Sequence, residues 1–200
     1  MATSDPFPIL GIDTSGPYLQ VGLAFADGRT DVLSEDLAKG HAEALFGRIA
    51  LLLDRNGIEY GDLNRVATSL GPGSFTGLRI GIAAARGLGL ALSIPVIGVP
   101  NLIAFSLSRE DRDFTILVDA RRDQMYAQHF RAAGKPLSAP VLIAQDGRDM
   151  LVQPKVDLAA MIQFAADAKS ADFPPDPLYV RAADAKPQTR NLIARQEAGR

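Results

Sequence analysis

The sequence has no cysteine and no tryptophan, and only two of its 200 residues are histidines. The lack of cysteine excludes disulfide bonds, thiolate catalysis and zinc sites built from cysteine ligands. The formal net charge is −2, which argues against a large nucleic-acid surface, because phosphate binding needs clustered lysine and arginine. What is present is a globular composition, 47% hydrophobic and 22% charged, long enough for one ordinary domain or two small lobes.

The sequence offers little sign of a leader or a membrane anchor. The stretch 1–6 lacks the basic and apolar regions of a signal peptide. The apolar stretch 75–92 is about long enough to span a bilayer, but it contains Arg79 and Arg86. Each arginine costs about 2.5–3.5 kcal/mol at the membrane centre on insertion scales. We therefore expect a soluble, cytoplasmic protein with no membrane partner.

The chain is organised around a glycine-rich loop at 71–77 and the helix that it opens. The preceding residues 66–70 are typical of a short buried strand, and Ser74 is a good N-cap for a helix ending near Leu92. The apolar residues of this helix are scattered around its axis, which predicts burial on more than one side. We expect one side to face the protein's own sheet and the other to need a further helix or subunit. Glycines also occur at four helical positions, each costing about 1 kcal/mol relative to alanine, namely Gly77, Gly81, Gly87 and Gly89.

The first half of the chain predicts three strands followed by alternating helices and strands. The first helix is closed by Gly57, and its residues Leu45, Phe46, Ile49, Leu52 and Leu53 form a core-facing stripe. The order βββ-α-β-α-β-α is the pattern of a ribonuclease-H-like lobe. The expected strands are 9–13, 19–25, 30–37, 66–70 and 96–99, and the expected helices are about 41–56, 75–92 and 100–108.

The second half repeats the opening rhythm after a charged boundary at 109–113. A strand over 114–118 ends in Asp119, a turn follows, and a return strand is expected over 125–130, as in the first hairpin. A further strand at 141–143 and a helix from Asp157 to about residue 169 complete this part. We predict an α/β protein with one lobe at 1–108, a smaller lobe at 109–180 and a flexible tail at 181–200.

Four motifs carry a family resemblance that covers nearly the whole chain. They are Ile12-Asp13-Thr14-Ser15, Gly71-Pro72-Gly73-Ser74-Phe75-Thr76-Gly77-Leu78-Arg79, Val118-Asp119-Ala120-Arg121 and Pro177-Leu178-Tyr179-Val180-Arg181. With these motifs the chain resembles the TsaB (YeaZ) family. The resemblance implies the actin-like ATPase (ASKHA) fold of sugar kinases and Hsp70, built from two ribonuclease-H-like lobes of which the second is truncated.

The resemblance also implies a function in tRNA modification. Family members take part in forming N6-threonylcarbamoyladenosine (t6A) at position 37 of tRNAs that read codons starting with A. They are the non-catalytic partner of a homologous subunit, TsaD, which transfers the threonylcarbamoyl group, and an ATPase, TsaE, joins the two. TsaD carries two metal-binding histidines that correspond here to Asn101 and Phe105, and phenylalanine offers no lone pair to a metal. We therefore expect neither a metal site nor catalysis by this chain.

The first hairpin is a candidate phosphate site. In relatives of this fold, residues in the place of Asp13, Thr14 and Ser15 hold nucleotide phosphates; alternatively, Asp13 and Ser15 here only fix the turn. The corresponding second hairpin has Ala120 and Arg121 after its acid, and the closing glycine pair of the fold is absent. We expect no cofactor on this chain alone, with ATP or ADP bound only at a joint interface in a complex.

The start of the second helix is a second candidate for anion contact. Gly73, Ser74 and Thr76 lie at a helix N-terminus, which favours anions. The alternative is a capped helix whose glycines permit close packing. The loop lacks the Walker ending, and Pro72 and Thr76 stand where a nucleophile elbow needs glycine, so Ser74 is not a hydrolase nucleophile.

Other polar residues have ordinary explanations. His41 begins the first helix, and His129 lies late in a strand. Arg121 and Arg122 form a hairpin tip that is able to contact tRNA or an acidic partner residue, although exposed arginines usually do neither. The basic tail offers only weak, salt-sensitive contacts to RNA.

We predict a scaffold subunit whose first two long helices pack against the corresponding pair of TsaD. TsaE is a further partner, tRNA is contacted indirectly, and the isolated chain forms a homodimer through the same surface. The alternatives are an ATP-dependent phosphotransferase of the sugar-kinase type and a free-standing RNA-binding module. The residues expected at the partner interface are Leu45, Ile49, Gly77, Leu78, Gly81, Ile82, Ala84, Ala85 and Leu88.

Overall fold

The structure is a computed structural model that describes residues 6–37 and 39–181. It has an α/β architecture with two sheets, as the sequence predicts. The strands are β1 (Ile9–Asp13), β2 (Tyr18–Ala24), β3 (Thr30–Asp36), β4 (Arg65–Ser69), β5 (Val96–Val99), β6 (Phe114–Arg121), β7 (Gln124–Ala132), β8 (Lys135–Pro136) and β9 (Val141–Ala144). The helices are α1 (His41–Arg55), α2 (Phe75–Leu92), α3 (Asn101–Ser106) and α4 (Leu158–Asp167), with one 3-10 turn at Tyr60–Asp62.

The first sheet has five strands in the order β3-β2-β1-β4-β5. Strands β1, β2 and β3 pair antiparallel, whereas β4 pairs parallel with both β1 and β5. This arrangement confirms the predicted meander followed by strand–helix alternation. The carboxyl ends of the parallel strands β1 and β4 therefore lie side by side, at Asp13 and Ser69.

The second sheet has four strands, in which β7 pairs with β6, β8 and β9. The predicted hairpin after Asp119 is confirmed, and its tip residues Arg121, Arg122 and Asp123 have φ angles of 61°, 54° and 56°. Strand β6 extends three residues beyond the expected end, to Arg121. The two-residue strand β8 was not expected, because it follows Gly134 in a stretch with no alternating pattern.

The helices cover both faces of the first sheet. Helices α1 and α2 share one face, where Leu10 and Ile12 of β1 join a cluster with apolar residues of both helices. Helix α4 lies on the other face, where Gly11 of β1 pairs with Gly22 of β2. A Cβ at Gly11 would lie 2.4 Å from Ile162 of α4, so the paired glycines make room for this helix.

A second core cluster joins that face of the first sheet to the second sheet. It contains Ile9 and Ile97 of the first sheet, Ile162 of α4, and Phe114 and Phe130 of the second sheet. Helix α4 thus belongs to the predicted second lobe by sequence but packs on the first sheet. The lobe boundary at 108/109 stays a prediction, and residues 182–200 of the expected tail lie outside the described residues.

The residues that the sequence predicts at helix ends lie there in the structure. Ser74 caps α2 by accepting a hydrogen bond from the Gly77 amide, and Asp157 caps α4 in the same way with the Ala160 amide. Gly57 follows α1 with a φ of 66°, as a C′ glycine should. One core assignment is wrong: Phe46 is 50% exposed, because it lies at the edge of the α1 stripe that faces the sheet.

Helix α2 is enclosed on three sides within the chain. Gly77, Gly81 and Gly89 face the sheet and its connecting loops, where an added Cβ would lie 1.9, 2.6 and 2.3 Å from the nearest atom. Ala84 and Leu88 pack in the α1 cluster, while Leu78 and Ile82 pack with Leu70 and Leu178. By length and composition alone α2 is apolar enough to cross a membrane, a criterion that the core helix of a folded domain also meets.

Candidate functional site

A cleft of about 920 Å³ lies between the two sheets. One wall is formed by the first hairpin, the loop before α2 and the first turns of α1 and α2; the other is formed by 118–121, Tyr126 and the 153–154 segment. The cleft is where ligands of a two-lobed fold would be expected. Its walls contain five of the six residues predicted for anion contact: Thr14, Ser15, Gly73, Ser74 and Thr76.

Asp13, the sixth predicted residue, lies behind the cleft wall and is 3% exposed. One carboxylate oxygen, Oδ1, accepts hydrogen bonds from the Ser15 amide (3.0 Å), the Ser15 hydroxyl (2.6 Å) and the Ser69 hydroxyl (2.6 Å). The other, Oδ2, accepts from Gln20 Nε2 at 3.2 Å. The carboxylate is therefore fully engaged in joining β1 to β2 and β4, as in the alternative in which it fixes the turn.

The first hairpin is also fastened to the start of α2. The Thr14 hydroxyl donates to the Gly77 carbonyl at 2.7 Å, and the Ser74 amide donates to the Ser15 carbonyl at 2.7 Å. The Ser74 hydroxyl accepts from the Gly77 amide. These polar groups satisfy one another, which favours the capped and closely packed helix over a dedicated anion site.

Asn101 occupies a position that the resemblance matches to a metal-binding histidine. Its Nδ2 donates to the Ser15 hydroxyl (2.7 Å) and the Pro72 carbonyl (3.2 Å), and its Oδ1 accepts from the Gly71 amide at 2.9 Å. Asn101 thus joins α3 to the hairpin and to the glycine-rich loop. Phe105, at the other matched position, lines the cleft and packs against the core.

The second hairpin forms the opposite wall. Asp119 Oδ1 accepts from the Arg121 amide at 2.7 Å, the same two-residue Asx turn that Asp13 makes with Ser15. Asp119 is half-buried and lines the cleft. The predicted repeat of strand, acid and hairpin is therefore present in the geometry as well as in the rhythm of the sequence.

The two histidines lie apart. His41 is the first residue of α1 and lines the cleft, whereas His129 is exposed on β7 beside the Thr115 hydroxyl, 3.0 Å from its Nδ1. Across residues 6–37 and 39–181, no three His, Cys, Asp or Glu side chains are grouped so as to hold a metal ion. The predictions of no metal and no cofactor on this chain stay predictions.

The residues predicted for the partner interface are not on the surface. The seven side chains are at most 9% exposed, and the two glycines are buried against Thr14. They form the contacts of α1 and α2 with each other, with the sheet and with Leu178 instead. The prediction that these residues lie on the surface is therefore wrong. It concerned Leu45, Ile49, Gly77, Leu78, Gly81, Ile82, Ala84, Ala85 and Leu88.

The same two helices expose a different apolar surface, which we call the α1–α2 face. Leu90 is 84% exposed, and Phe46 and Leu51 are each 50% exposed. A Cβ at Gly87 would meet nothing within 4 Å. The sequence contains one indication of the residues that α2 contributes to this face. Ala83 and Leu90 each lie four residues after an arginine, and therefore on the same side of the helix as that charged residue. The α1–α2 face consists of Phe46, Ala50, Leu51, Ala83, Gly87, Leu90 and Ala91.

Comparison with known families gives one broad match. The family model described as "TsaD: tRNA N6-adenosine threonylcarbamoyltransferase" matches residues 31–181. That range includes the glycine-rich loop, α1, α2 and the second hairpin.

The chain is also similar to several relatives and to a solved structure. An uncharacterized protein of Mycobacterium tuberculosis is 32% identical over 200 residues, covering 90% of this chain and 94% of that protein. The "tRNA threonylcarbamoyladenosine biosynthesis protein TsaB" of Escherichia coli is 34% identical over 122 residues, 59% of this chain and 52% of that protein. The chain thus spans about half the length of the TsaB proteins it matches. The structure of YeaZ from Pseudomonas aeruginosa superposes with a TM-score of 0.72 at 22% identity, covering 86% of this chain and 99% of that one, which shows a shared fold.

Proposed function

Because the chain belongs to the TsaB (YeaZ) family and has its actin-like fold, we propose that it is a non-catalytic subunit in the formation of t6A in tRNA. It acts by docking a TsaD-type catalytic subunit through the α1–α2 face. The role in t6A formation is that of the named relatives. The docking mode and the lack of catalysis are proposals from the residues of this chain.

The α1–α2 face is the observation that supports docking most strongly. Seven small or apolar residues are exposed on α1 and α2, two helices in contact with each other, and Leu90 is almost fully exposed. Gly47 and Gly87 each face open space, so a partner helix can approach the backbone at both positions. Exposed apolar surface of this kind marks protein–protein contacts. The face therefore suits a helix pair of similar composition, such as a homologous subunit would present.

The cleft supports the non-catalytic part of the proposal. Asp13, the acid that serves chemistry in relatives of the fold, has four donors within 3.2 Å, all from the chain itself. Asn101 is engaged with Ser15, Gly71 and Pro72, and Phe105 has no ligand atom. A general acid, base or metal ligand needs a lone pair or proton directed at a substrate, and these side chains direct theirs elsewhere.

The remaining parts of the complex follow the family resemblance. A TsaD-type subunit is the direct partner, a TsaE-type ATPase joins the pair, and tRNA is contacted through the assembly. ATP or ADP binds only where a partner completes the cleft. Without its partner the chain forms a homodimer through the α1–α2 face, and the complex works in the cytoplasm.

The test is co-purification with the TsaD-type protein of the same organism. Leu90→Arg places a charge in the proposed contact and should weaken binding at least 10-fold, since a buried unpaired charge is costly at an interface. Leu137→Arg is the matched control, because Leu137 is 46% exposed on the second sheet, away from both helices. Binding should be measured by calorimetry, with circular dichroism confirming that both variants are folded.

A clear result is available in either direction. Loss of binding by Leu90→Arg with full binding by Leu137→Arg supports docking through the α1–α2 face. Equal binding by both variants and the unaltered chain contradicts it. The homodimer gives a second readout, because Leu90→Arg should also shift the isolated chain towards monomer in sedimentation experiments.

A further inference from the structure

Residues 174–181 form an extended segment that we call the strap. It follows α4 along the chain and then runs back across the first sheet and α2. Its contacts involve residues distant in sequence: Leu70, Phe75, Arg79, Arg86 and Ala120. Neither the cleft nor the α1–α2 face accounts for this segment.

The strap begins at the edge of the first sheet. The Gly98 amide of β5 donates at 2.9 Å to the carbonyl of Phe173, the residue before the strap, and the Leu178 amide donates to the Leu70 carbonyl at 3.0 Å. A Cβ at Gly98 would lie 2.6 Å from the Pro174 carbonyl oxygen. Glycine at this position therefore lets the strap cross β5 in close contact.

The middle of the strap covers one side of α2. Leu178 packs with Leu70, Leu78 and Ile82 in a small cluster separate from the two larger cores. The centroids of the Tyr179 and Phe75 rings lie 5.8 Å apart. The guanidinium carbon of Arg79 lies 3.8 Å from the centroid of the same Phe75 ring. The strap thus supplies the third wall around α2 and contacts Phe75 on one wall of the cleft.

The end of the strap reaches the opposite wall. Arg181 Nη2 donates to the Ala120 carbonyl of β6 at 2.8 Å. Phe75 and Ala120 both line the cleft, one on each side. The two sheets also share a continuous core, so the strap is a second link between the two walls of the cleft.

We propose that the strap is a conformational tie that sets the width of the cleft. It anchors on the first sheet and α2 through Leu178 and Tyr179, and it holds the second hairpin through Arg181. Releasing it leaves the shared core as a hinge and lets the hairpin wall move away from the α2 wall. This proposal concerns the isolated chain and does not depend on the proposed partner.

The absence of native cysteine allows a direct test in the full chain. Spin labels on Glu43→Cys in α1 and Ala144→Cys in β9 report the separation of the two walls, since both residues are exposed on regular elements. The distance distribution is measured by pulsed electron resonance with an intact strap, with Arg181→Ala and with Leu178→Asp. Arg148→Ala is the matched control, because Arg148 pairs locally with Asp146, two residues away.

The proposal predicts a narrow distribution with the intact strap and with Arg148→Ala. It predicts a longer mean distance or a broader distribution with Arg181→Ala, and a larger change with Leu178→Asp. Unchanged distributions in both strap variants would overturn it, and so would an equal change in the control. If Leu178→Asp does not fold, Arg181→Ala decides, because it removes one surface contact and leaves the core intact.

Discussion

The two hairpins that face the cleft share a design and differ in what surrounds the acid. Asp13 ends β1 and Asp119 lies two residues before the end of β6, and each accepts a hydrogen bond from the amide two residues on. Asp13 is buried and accepts three further bonds, from Ser15, Gln20 and Ser69. Asp119 is half-buried and lines the cleft directly.

The difference teaches that the position of an acid in a fold does not fix its role; its neighbours do. In the first hairpin the carboxylate holds three strands together at the point where a phosphotransfer site would need it free. A buried carboxylate is costly unless its oxygens accept hydrogen bonds, and here both oxygens accept at least one. The Asp13 carboxylate is thus occupied by hydrogen bonds within the protein, whereas Asp119 lines the cleft.

The largest expected effect comes from removing each acid in turn. Asp13→Ala should lower the free energy of unfolding by about 3–4 kcal/mol, because it leaves buried hydroxyl and amide donors without an acceptor. Asp119→Ala should cost about 0.5–1 kcal/mol, the usual value of one hydrogen bond. Urea denaturation of both variants measures the difference, and equal losses would show that the two hairpins are not distinct.

The next effect tests how the first hairpin is held by α2. A Cβ at Gly77 would lie 1.9 Å from the Thr14 carbonyl oxygen, whereas one at Gly87 would contact nothing. Gly77→Ala should destabilise by about 2–3 kcal/mol through forced backbone movement. Gly87→Ala should stabilise by about 0.5–1 kcal/mol through helix propensity alone. Thermal unfolding compares them; stabilisation by both would mean that α2 is not packed on the hairpin.

Asp31 is a surface carboxylate, and we expect its removal to cost less stability than removal of the buried Asp13. A side-chain hydrogen bond from Arg55 holds the pKa of Asp31 below its ordinary value. A depressed pKa contributes stability above the unfolded-state value and loses it as pH falls through the folded-state value. Because the pair is partly exposed, Asp31→Asn should cost only about 0.5 kcal/mol at neutral pH. In urea titrations the cost should begin to fall near pH 4, the ordinary pKa of an aspartate, and should vanish as pH drops through the lower folded-state pKa; a constant cost would contradict the assignment.

The smallest expected effect is on nucleotide binding. With Asp13 engaged and Asn101 tied to Ser15, the isolated chain should give no measurable heat with Mg-ATP in calorimetry. Asp119→Ala should not change this result. Binding in the micromolar range, or turnover of ATP, would favour the phosphotransferase alternative.

Much of the fold was predictable because its signals are local. Ser74, Gly57 and Asp157 mark helix ends through bonds within a few residues, and alternating apolar residues identified the meander strands. The repeat of strand, acid and turn was legible for the same reason. Helix α4 was also expected, but not its place on the first sheet, which depends on Gly11 and Gly22 lying side by side.

The face of α2 was not predictable in this way. Its apolar residues satisfy three different neighbours, one of which, Leu178, comes 100 residues after Leu78. No single stripe results, and Gly77 and Gly81, which were expected at the partner interface, in fact meet Thr14 of the same chain. Which residues of α2 are left exposed depends on these internal contacts, so the buried residues were expected at the surface; docking through these two helices stays a prediction.

The central claim is that this chain assists chemistry carried out by a partner. The most direct measurement is t6A formation on tRNA in a reconstituted reaction, run with this chain alone, with the TsaD-type subunit alone, and with both. The account predicts no product from this chain alone and markedly more from the mixture than from the subunit alone. Product from this chain alone, or no gain on mixing, would contradict it.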